Sequence, residues 1–78
     1  MVNQHLKKAI LEVVENQLHA NNPPEVRQTL NRLLAAGYSR KTAKEMIGSA
    51  VVSEIWSVLH EQQPYDHERY CAALNKLK

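Results

Sequence analysis

The sequence predicts an all-α fold, a compact four-helix bundle with a long central third helix. Two observations predict it. Apolar residues recur at three- and four-residue spacing along the chain, as they do on the buried side of an amphipathic helix. Three short segments that combine a turn residue with a helix-capping residue interrupt this pattern. These segments are Asn22-Pro23-Pro24-Glu25, Gly37-Tyr38-Ser39 and Pro64-Tyr65-Asp66.

The length and composition fit one helical domain over 1–78. Of the 78 residues, 44% are hydrophobic and 23% are charged, proportions that are typical of soluble globular proteins. The chain has one Trp, three Tyr and no Phe, so we expect a core built mainly from aliphatic side chains. A core of this size is close to the lower limit for independent stability, which favours completion by self-association.

The first helix is predicted over about 3–20. Lys7, Lys8, Glu12 and Glu15 fall on its predicted solvent side, and the opposite side carries one apolar stripe. The residues of that stripe are Leu6, Ala9, Ile10, Val13, Val14, Gln17 and Leu18.

The second helix is predicted over about 23–36. A proline in its first turn loses no hydrogen bond, because N–H groups there have no partner within the helix. We expect Asn22 to cap this helix and Glu25 to reach back to it as a capping box. Gly37 stands where a left-handed residue commonly ends a helix. The residues predicted to face inward are Val26, Leu30, Leu33 and Leu34.

The third helix is predicted over about 40–61, with Ser39 as its cap. Val52 and Trp56 lie toward a second face together with Gly48, so the apolar arc is wide and predicts contacts on two sides. Glycine in a helix interior costs about 1 kcal/mol against alanine, and Gly48 therefore predicts close approach of a neighbouring helix. The main inward stripe comprises Ala43, Met46, Ile47, Ala50, Val51, Ile55, Val58 and Leu59.

The fourth helix is predicted over about 67–77, with Asp66 as its cap. Tyr65 and Tyr70 occupy the two positions of a hydrophobic staple, one before the cap and one a turn inside the helix. Its short inward stripe comprises Tyr70, Ala73, Leu74 and Leu77.

The acidic residues favour a non-enzymatic protein. General acid–base catalysis needs convergent polar groups in a cleft, but most acids fall on predicted solvent faces. Glu25 and Asp66 already have predicted capping roles. The chain also has no recognisable cofactor motif, so we expect no catalytic residue and no cofactor.

The histidines and the single cysteine predict no metal site on any one helix. No two histidines are three or four residues apart, although a site assembled from different helices stays open. Cys71 has no partner for an internal disulfide, which fits a reducing compartment. We expect no histidine or acid to be placed locally so as to activate it, and we interpret it as structural. The histidines are His5, His19, His60 and His67.

The chain carries no recognisable targeting pattern. Its start lacks a charged-then-apolar signal, and no apolar run approaches the roughly 18 residues of a membrane span. The sequence therefore predicts a cytoplasmic, soluble protein with no membrane partner.

The first functional hypothesis is a protein-interaction or self-assembly module, either a homodimer or a partner of an unknown protein. Val52 and Trp56 are its candidate interaction residues, because they lie on the second apolar face of the third helix. An exposed tryptophan is a typical interface anchor. The alternative is that the first or the fourth helix covers Trp56.

The second hypothesis is DNA binding. The segment LLAAGYSRKTAKEMIG, residues 33–48, resembles a helix-turn-helix whose second helix carries Arg40, Lys41 and Lys44 at its start, where base and phosphate contacts occur. The large Leu33, the long third helix and the net charge of only +2 argue against nucleic acid. The same segment is loosely similar to the Gly-aromatic loop of a ubiquitin-associated domain, which the long third helix fits poorly.

Residues 3–77 resemble a family of small uncharacterised bacterial helical proteins, known as a domain of unknown function. The resemblance covers nearly the whole chain, and its motifs are mostly caps and core positions, so it implies a fold more than an activity. The shared features are the Pro23-Pro24 pair, Arg27, Arg32, Glu54-Ile55-Trp56, Pro64-Tyr65-Asp66 and Tyr70.

The resemblance also raises a third hypothesis, a degenerate metal-binding member of that family. Many of its members carry two histidines four residues apart in the first helix and another in the third. The matching positions here are Lys7, Leu11 and Glu45, and none is a histidine. The resemblance therefore implies that this chain has lost that site, and His5 near the first position does not restore it.

Overall fold

A computed structural model describes residues 4–78, and these residues confirm the all-α fold. The helices are α1 (Gln4–Ala20), α2 (Pro24–Ala35), α3 (Arg40–His60) and α4 (His67–Asn75). As predicted, α3 is central: it contacts each of the other three helices, and more extensively than α2, which also contacts all three. The predicted start of the first helix at residue 3 lies outside the described residues.

The starts of α3 and α4 follow the sequence closely. The Ser39 side chain accepts a hydrogen bond from the backbone N–H of Thr42 at 3.1 Å, and the Asp66 carboxylate accepts one from the N–H of Arg69 at 3.1 Å. Gly37 has a φ of +104°, the left-handed conformation that favours glycine after a helix. The predictions for Ser39, Asp66 and Gly37 are therefore confirmed. Each of them depends only on residues nearby in the chain.

The predicted cap of α2 is wrong. Pro23, not Asn22, is the capping residue, and its side chain accepts no hydrogen bond. The predicted capping box fails for the same reason, since a proline has no N–H for Glu25 to accept from. The N–H of Asn22 instead donates to the carbonyl of Gln17 at 3.0 Å, so this residue belongs to the end of α1.

The core is mainly aliphatic, as predicted, with one buried aromatic ring. Tyr70 is 2% exposed, and its hydroxyl donates to Gln17 Oε1 at 2.8 Å. Burial raises the pKa of Tyr70 to about 12. Leu6, which the sequence placed on the inward stripe, is 55% exposed. The buried apolar residues are Ile10, Val14, Leu18, Val26, Leu30, Leu33, Ala43, Ile47, Ala50, Val51, Tyr70 and Leu74.

Gly48 marks the close approach of α1 to α3. A Cβ placed on Gly48 would lie 3.1 Å from Ile10 Cγ2, which confirms the predicted close contact. Beyond this point, the inward stripe predicted for α3 is wrong in part, because Ile55 is 40% exposed and Leu59 is 69% exposed. The neighbouring helices cover the first part of α3 on this side and leave its last two turns open.

An ion pair that the sequence analysis did not predict joins α3 to α4. Most acids were expected on solvent faces, but Glu54 is only 7% exposed. Arg69 donates to its two carboxylate oxygens at 2.8 and 2.7 Å, and the N–H of Asp66 donates to Glu54 Oε2 at 3.0 Å. The hydrogen bonds from Arg69 keep the pKa of Glu54 low, despite burial, which opposes this shift. One carboxylate thus fixes both the start of α4 and the segment before it.

Between residues 4 and 78, no helix combines the length and the apolar character needed to cross a membrane.

Candidate functional site

Four large apolar side chains stand exposed on the last turns of α3. Val52, Ile55, Trp56 and Leu59 are exposed by 45, 40, 55 and 69%, respectively. At about 100° per residue they fall within an arc of roughly 100°, so they share one side of the helix. We call these four residues the α3 apolar face.

Trp56 is the largest member of the α3 apolar face. Its ring stacks on His60, with centroids 4.7 Å apart and an interplanar angle of 23°. His60 lies one turn along the same helix, and Trp56 stays 55% exposed beside it. Neither α1 nor α4 buries Trp56, which contradicts the alternative in which one of them covers it.

A shallow apolar groove adjoins this face. It has a volume of about 190 Å³ and is lined by Val13 of α1, by Ile55, and by Tyr65 and Tyr70. Ile55 belongs to both surfaces, so the face and the groove are continuous. Tyr65 is 56% exposed, and its ring centroid lies 6.4 Å from that of the buried Tyr70, as expected for the predicted staple.

The basic start of α3 is partly neutralised. Arg40 and Lys41 are exposed, but Lys44 forms an ion pair with Glu15 of α1. The hydrogen bond from Lys44 lowers the pKa of Glu15. Of the three predicted nucleic-acid contacts, one is therefore engaged within the bundle, and DNA binding stays a prediction.

The positions that the family resemblance associates with metal hold an ion pair. Lys7 Nζ lies 2.7 Å from Glu45 Oε2, so α1 and α3 do meet at two of the three matching positions. The hydrogen bond from Lys7 lowers the pKa of Glu45. A lysine at this place is a poor metal ligand, because its ammonium group has no lone pair to donate.

A second cluster joins the starts of α2 and α4. His67 Nε2 lies 3.1 Å from Glu25 Oε2 and 3.4 Å from Cys71 Sγ, and the three potential ligand atoms are all within 4.8 Å of one another. A histidine and an acid thus lie beside Cys71, where the sequence analysis expected none placed so as to activate it. His67 and Cys71 are four residues apart, a spacing that places them on one helix face and was visible in the sequence. Glu25 joins them only because α2 packs against α4.

The electrostatics of this cluster do not fit an activated thiol. Burial, followed by the negative charge of Glu25, raises the pKa of Cys71. The backbone N–H of Glu25 and then the contact with His67 lower the pKa of Glu25, which stays ionised. Glu25 Oε1 is buried without a hydrogen-bond partner among residues 4–78. Cys71 is thus a protonated thiol at neutral pH, and a nucleophile needs the thiolate.

Comparisons with protein-family models, with curated proteins and with solved structures found no match to this chain. The resemblance to the bacterial helical family therefore stays a prediction. The functional argument rests on the geometry of the α3 apolar face and of the cluster formed by Glu25, His67 and Cys71.

Proposed function

We propose that this protein is a non-enzymatic assembly module that pairs with a second copy of itself through the α3 apolar face. The observation that carries the proposal is the exposure of four large apolar side chains on one side of one helix. Burial of apolar surface contributes roughly 25 cal/mol per Å². In a chain of 78 residues with a small core, covering this face in a dimer adds a large share of the total stability.

The shape of the surface supports a second copy as the partner. In a two-fold dimer the same patch faces itself, so a projecting side chain must find a recess on the same patch. The α3 apolar face has both features, because Trp56 projects from it and the groove beside Ile55 adjoins it. Each Trp56 can then fill the groove of the other copy, in the manner of an interface anchor.

The chemistry of the face supports the same partner. None of its four residues carries a charge, so the face offers no attraction to a strongly charged protein. Their spacing of three and four residues is the spacing with which two helices pack side chains against each other. A matching apolar helix face is the simplest complement, and the second copy supplies one.

The test is the solution mass by light scattering, with tryptophan emission recorded on the same samples across a dilution series. We expect a dimer of twice the 8.9 kDa chain mass. Because Trp56 is the single tryptophan, its emission reports directly on the face. We expect a red shift of that emission as the dimer dissociates and the indole enters water.

The variants are Trp56→Ala and a matched control, Leu6→Ala. Both side chains are 55% exposed, but Leu6 lies near the start of α1 and outside the α3 apolar face. We expect Trp56→Ala to be monomeric and Leu6→Ala to remain a dimer. A wild-type chain that is monomeric at every concentration would contradict the proposal, as would a dimer that Trp56→Ala leaves intact.

A further inference from the structure

Two of the three donor distances in the cluster of Glu25, His67 and Cys71 are close to those of a tetrahedral metal site, and all three donor atoms lie within 4.8 Å of one another. With zinc bonds of about 2.0 Å to nitrogen and oxygen and about 2.3 Å to sulfur, ligand atoms at tetrahedral angles lie about 3.3 Å (N to O) and 3.5 Å (N to S) apart. The observed distances are 3.1 Å from His67 Nε2 to Glu25 Oε2 and 3.4 Å to Cys71 Sγ. Small outward movements of the exposed His67 and of the half-buried Glu25 and Cys71 bring both distances to the zinc values.

The three side chains converge on one point. His67 Nε2 lies against both Glu25 Oε2 and Cys71 Sγ. Glu25 Oε1 is in addition buried with no hydrogen-bond partner among the described residues. Buried polar atoms are normally paired, so this oxygen is available as a ligand for a cation.

The donor set is the one that zinc prefers. Thiolate sulfur, imidazole nitrogen and carboxylate oxygen are its three common protein ligands. When the dication binds, the Cys71 thiol loses its proton to solvent, because only the thiolate is a ligand. One thiolate, one carboxylate and one neutral imidazole then give a site with no net charge, because the two anionic ligands balance the ion. Three protein ligands leave a fourth tetrahedral position open for water.

The backbone holds the three donors in place. Glu25 lies in the first turn of α2, and His67 and Cys71 lie one turn apart at the start of α4. Arg32 of α2 donates to the carbonyls of Leu74 and Leu77 at 2.9 and 2.6 Å, so the two helices are joined beyond their packing contact.

The other ring nitrogen of His67 also has a neighbour. Its Nδ1 lies 3.5 Å from the Tyr65 hydroxyl. A metal-ligating histidine usually hydrogen-bonds through its second nitrogen to an outer group that fixes the ring orientation. Tyr65 occupies that outer position here.

We infer that Glu25, His67 and Cys71 bind one zinc-type dication per chain and leave its fourth coordination position open. The site lies between α2 and α4, and no residue of the α3 apolar face belongs to it. The two sites share only Tyr65, which lines the groove and neighbours His67, and none of the three ligands lies on the face. Trp56→Ala should therefore bind the metal as the wild type does.

The test uses untagged, reduced protein that has been stripped of metal with a chelator and then titrated with Co²⁺. Cobalt occupies zinc sites and reports on its ligands by absorption. We expect the intense visible bands of a tetrahedral site and a near-ultraviolet sulfur-to-cobalt charge-transfer band, both saturating at one equivalent per chain. Added Zn²⁺ should displace the cobalt and remove both features.

Three ligand variants and two controls identify the site. Cys71→Ser should abolish the charge-transfer band. Glu25→Gln and His67→Gln should each weaken Zn²⁺ binding at least about tenfold, since even outer-shell changes cost 10- to 100-fold. The controls are His19→Gln, an exposed histidine on α1, and Glu68→Gln, an exposed acid beside His67; both should bind as the wild type does.

Far-ultraviolet circular dichroism establishes that each variant is folded, and the wild-type cobalt spectrum decides the question without any variant. A wild-type titration with no charge-transfer band overturns the inference. So does His67→Gln protein that binds Zn²⁺ as tightly as the wild type, because the metal would then be held elsewhere.

Discussion

The two halves of α3 have similar apolar content but very different surroundings. From Arg40 to Val51, the inward residues Ala43, Ile47 and Ala50 are at most 3% exposed. From Val52 to His60, Glu54 is the one buried residue, and four large apolar side chains are at least 40% exposed.

The difference arises from where the other helices run. Gly48 lets α1 approach α3 closely, and on the same side of the helix one turn later Val52 is already 45% exposed. Burial of a helix residue therefore depends on the path of its neighbours as much as on its own hydrophobicity. The covered half stabilises the bundle, and the open half is available for assembly.

The largest effect that tests this comparison is the loss of a core side chain. Ile47→Ala should lower the free energy of unfolding by about 3 to 4 kcal/mol, because it leaves a cavity at a fully buried position. Leu59→Ala, a truncation of similar size in the open half, should change it by less than about 0.5 kcal/mol. The measurement is urea denaturation at low protein concentration, where the proposed dimer is dissociated. Equal losses in the two variants would contradict the comparison.

The second effect concerns Glu54, the buried polar group of the open half. Glu54→Gln should lower the free energy of unfolding by about 2 to 3 kcal/mol at pH 7. This loss is below the range for fully buried ion pairs, because the Arg69 side chain is 32% exposed. Glu61→Gln, an exposed acid on the same helix end, should be nearly neutral. The same urea series measures both variants. If Glu54→Gln unfolds with the same free energy as the wild type, the ion pair does not stabilise the fold.

The pH dependence of this variant gives an independent check. Arg69 keeps the pKa of Glu54 below its ordinary value of 4.5, so the unfolded chain binds a proton more readily than the folded one. The contribution of Glu54 is complete above that value and is lost as the pH falls through the lower folded pKa. The stability difference between wild type and Glu54→Gln should therefore shrink on going from pH 7 to about pH 3. A difference that stays constant would show that the carboxylate charge is not its cause.

The smallest effect concerns the point where the two halves meet. Gly48→Leu should lower the free energy of unfolding by about 1 to 2 kcal/mol, because the new leucine side chain must displace Ile10 of α1. Val52→Leu enlarges the side chain one turn further along, where the surface is open, and should be within about 0.5 kcal/mol of the wild type. Thermal unfolding monitored by circular dichroism is a sufficient measurement of both variants. A neutral Gly48→Leu would mean that α1 can move away at no cost.

The sequence predicts well those features that depend on nearby residues. Ser39, Asp66 and Gly37 work as expected, because capping bonds and left-handed turns involve only residues a few positions away. Asn22 is the exception, since two prolines follow it and the capping position falls on Pro23, which has no N–H to complete a capping box.

Most features that depend on distant residues escaped prediction, although Gly48 correctly predicted the close approach of a neighbouring helix. The burial of Glu54 requires Arg69, fifteen positions away, and nothing in the local pattern pairs them. The pair of His67 and Cys71 was visible as a four-residue spacing, but its acidic partner Glu25 is forty-two positions from His67. Hydrophobic spacing likewise predicted the apolar arc of α3 but not which part of it the other helices would cover.

Helix α4 is attached to the bundle at both of its ends. Glu54 holds its start through Arg69 and Asp66, and Arg32 holds the carbonyls of its last turn. A helix of nine residues is too short to persist alone in water, so α4 cannot detach and remain folded. Its amide protons should accordingly exchange with solvent in one cooperative opening that releases both attachments together, rather than by fraying from either end.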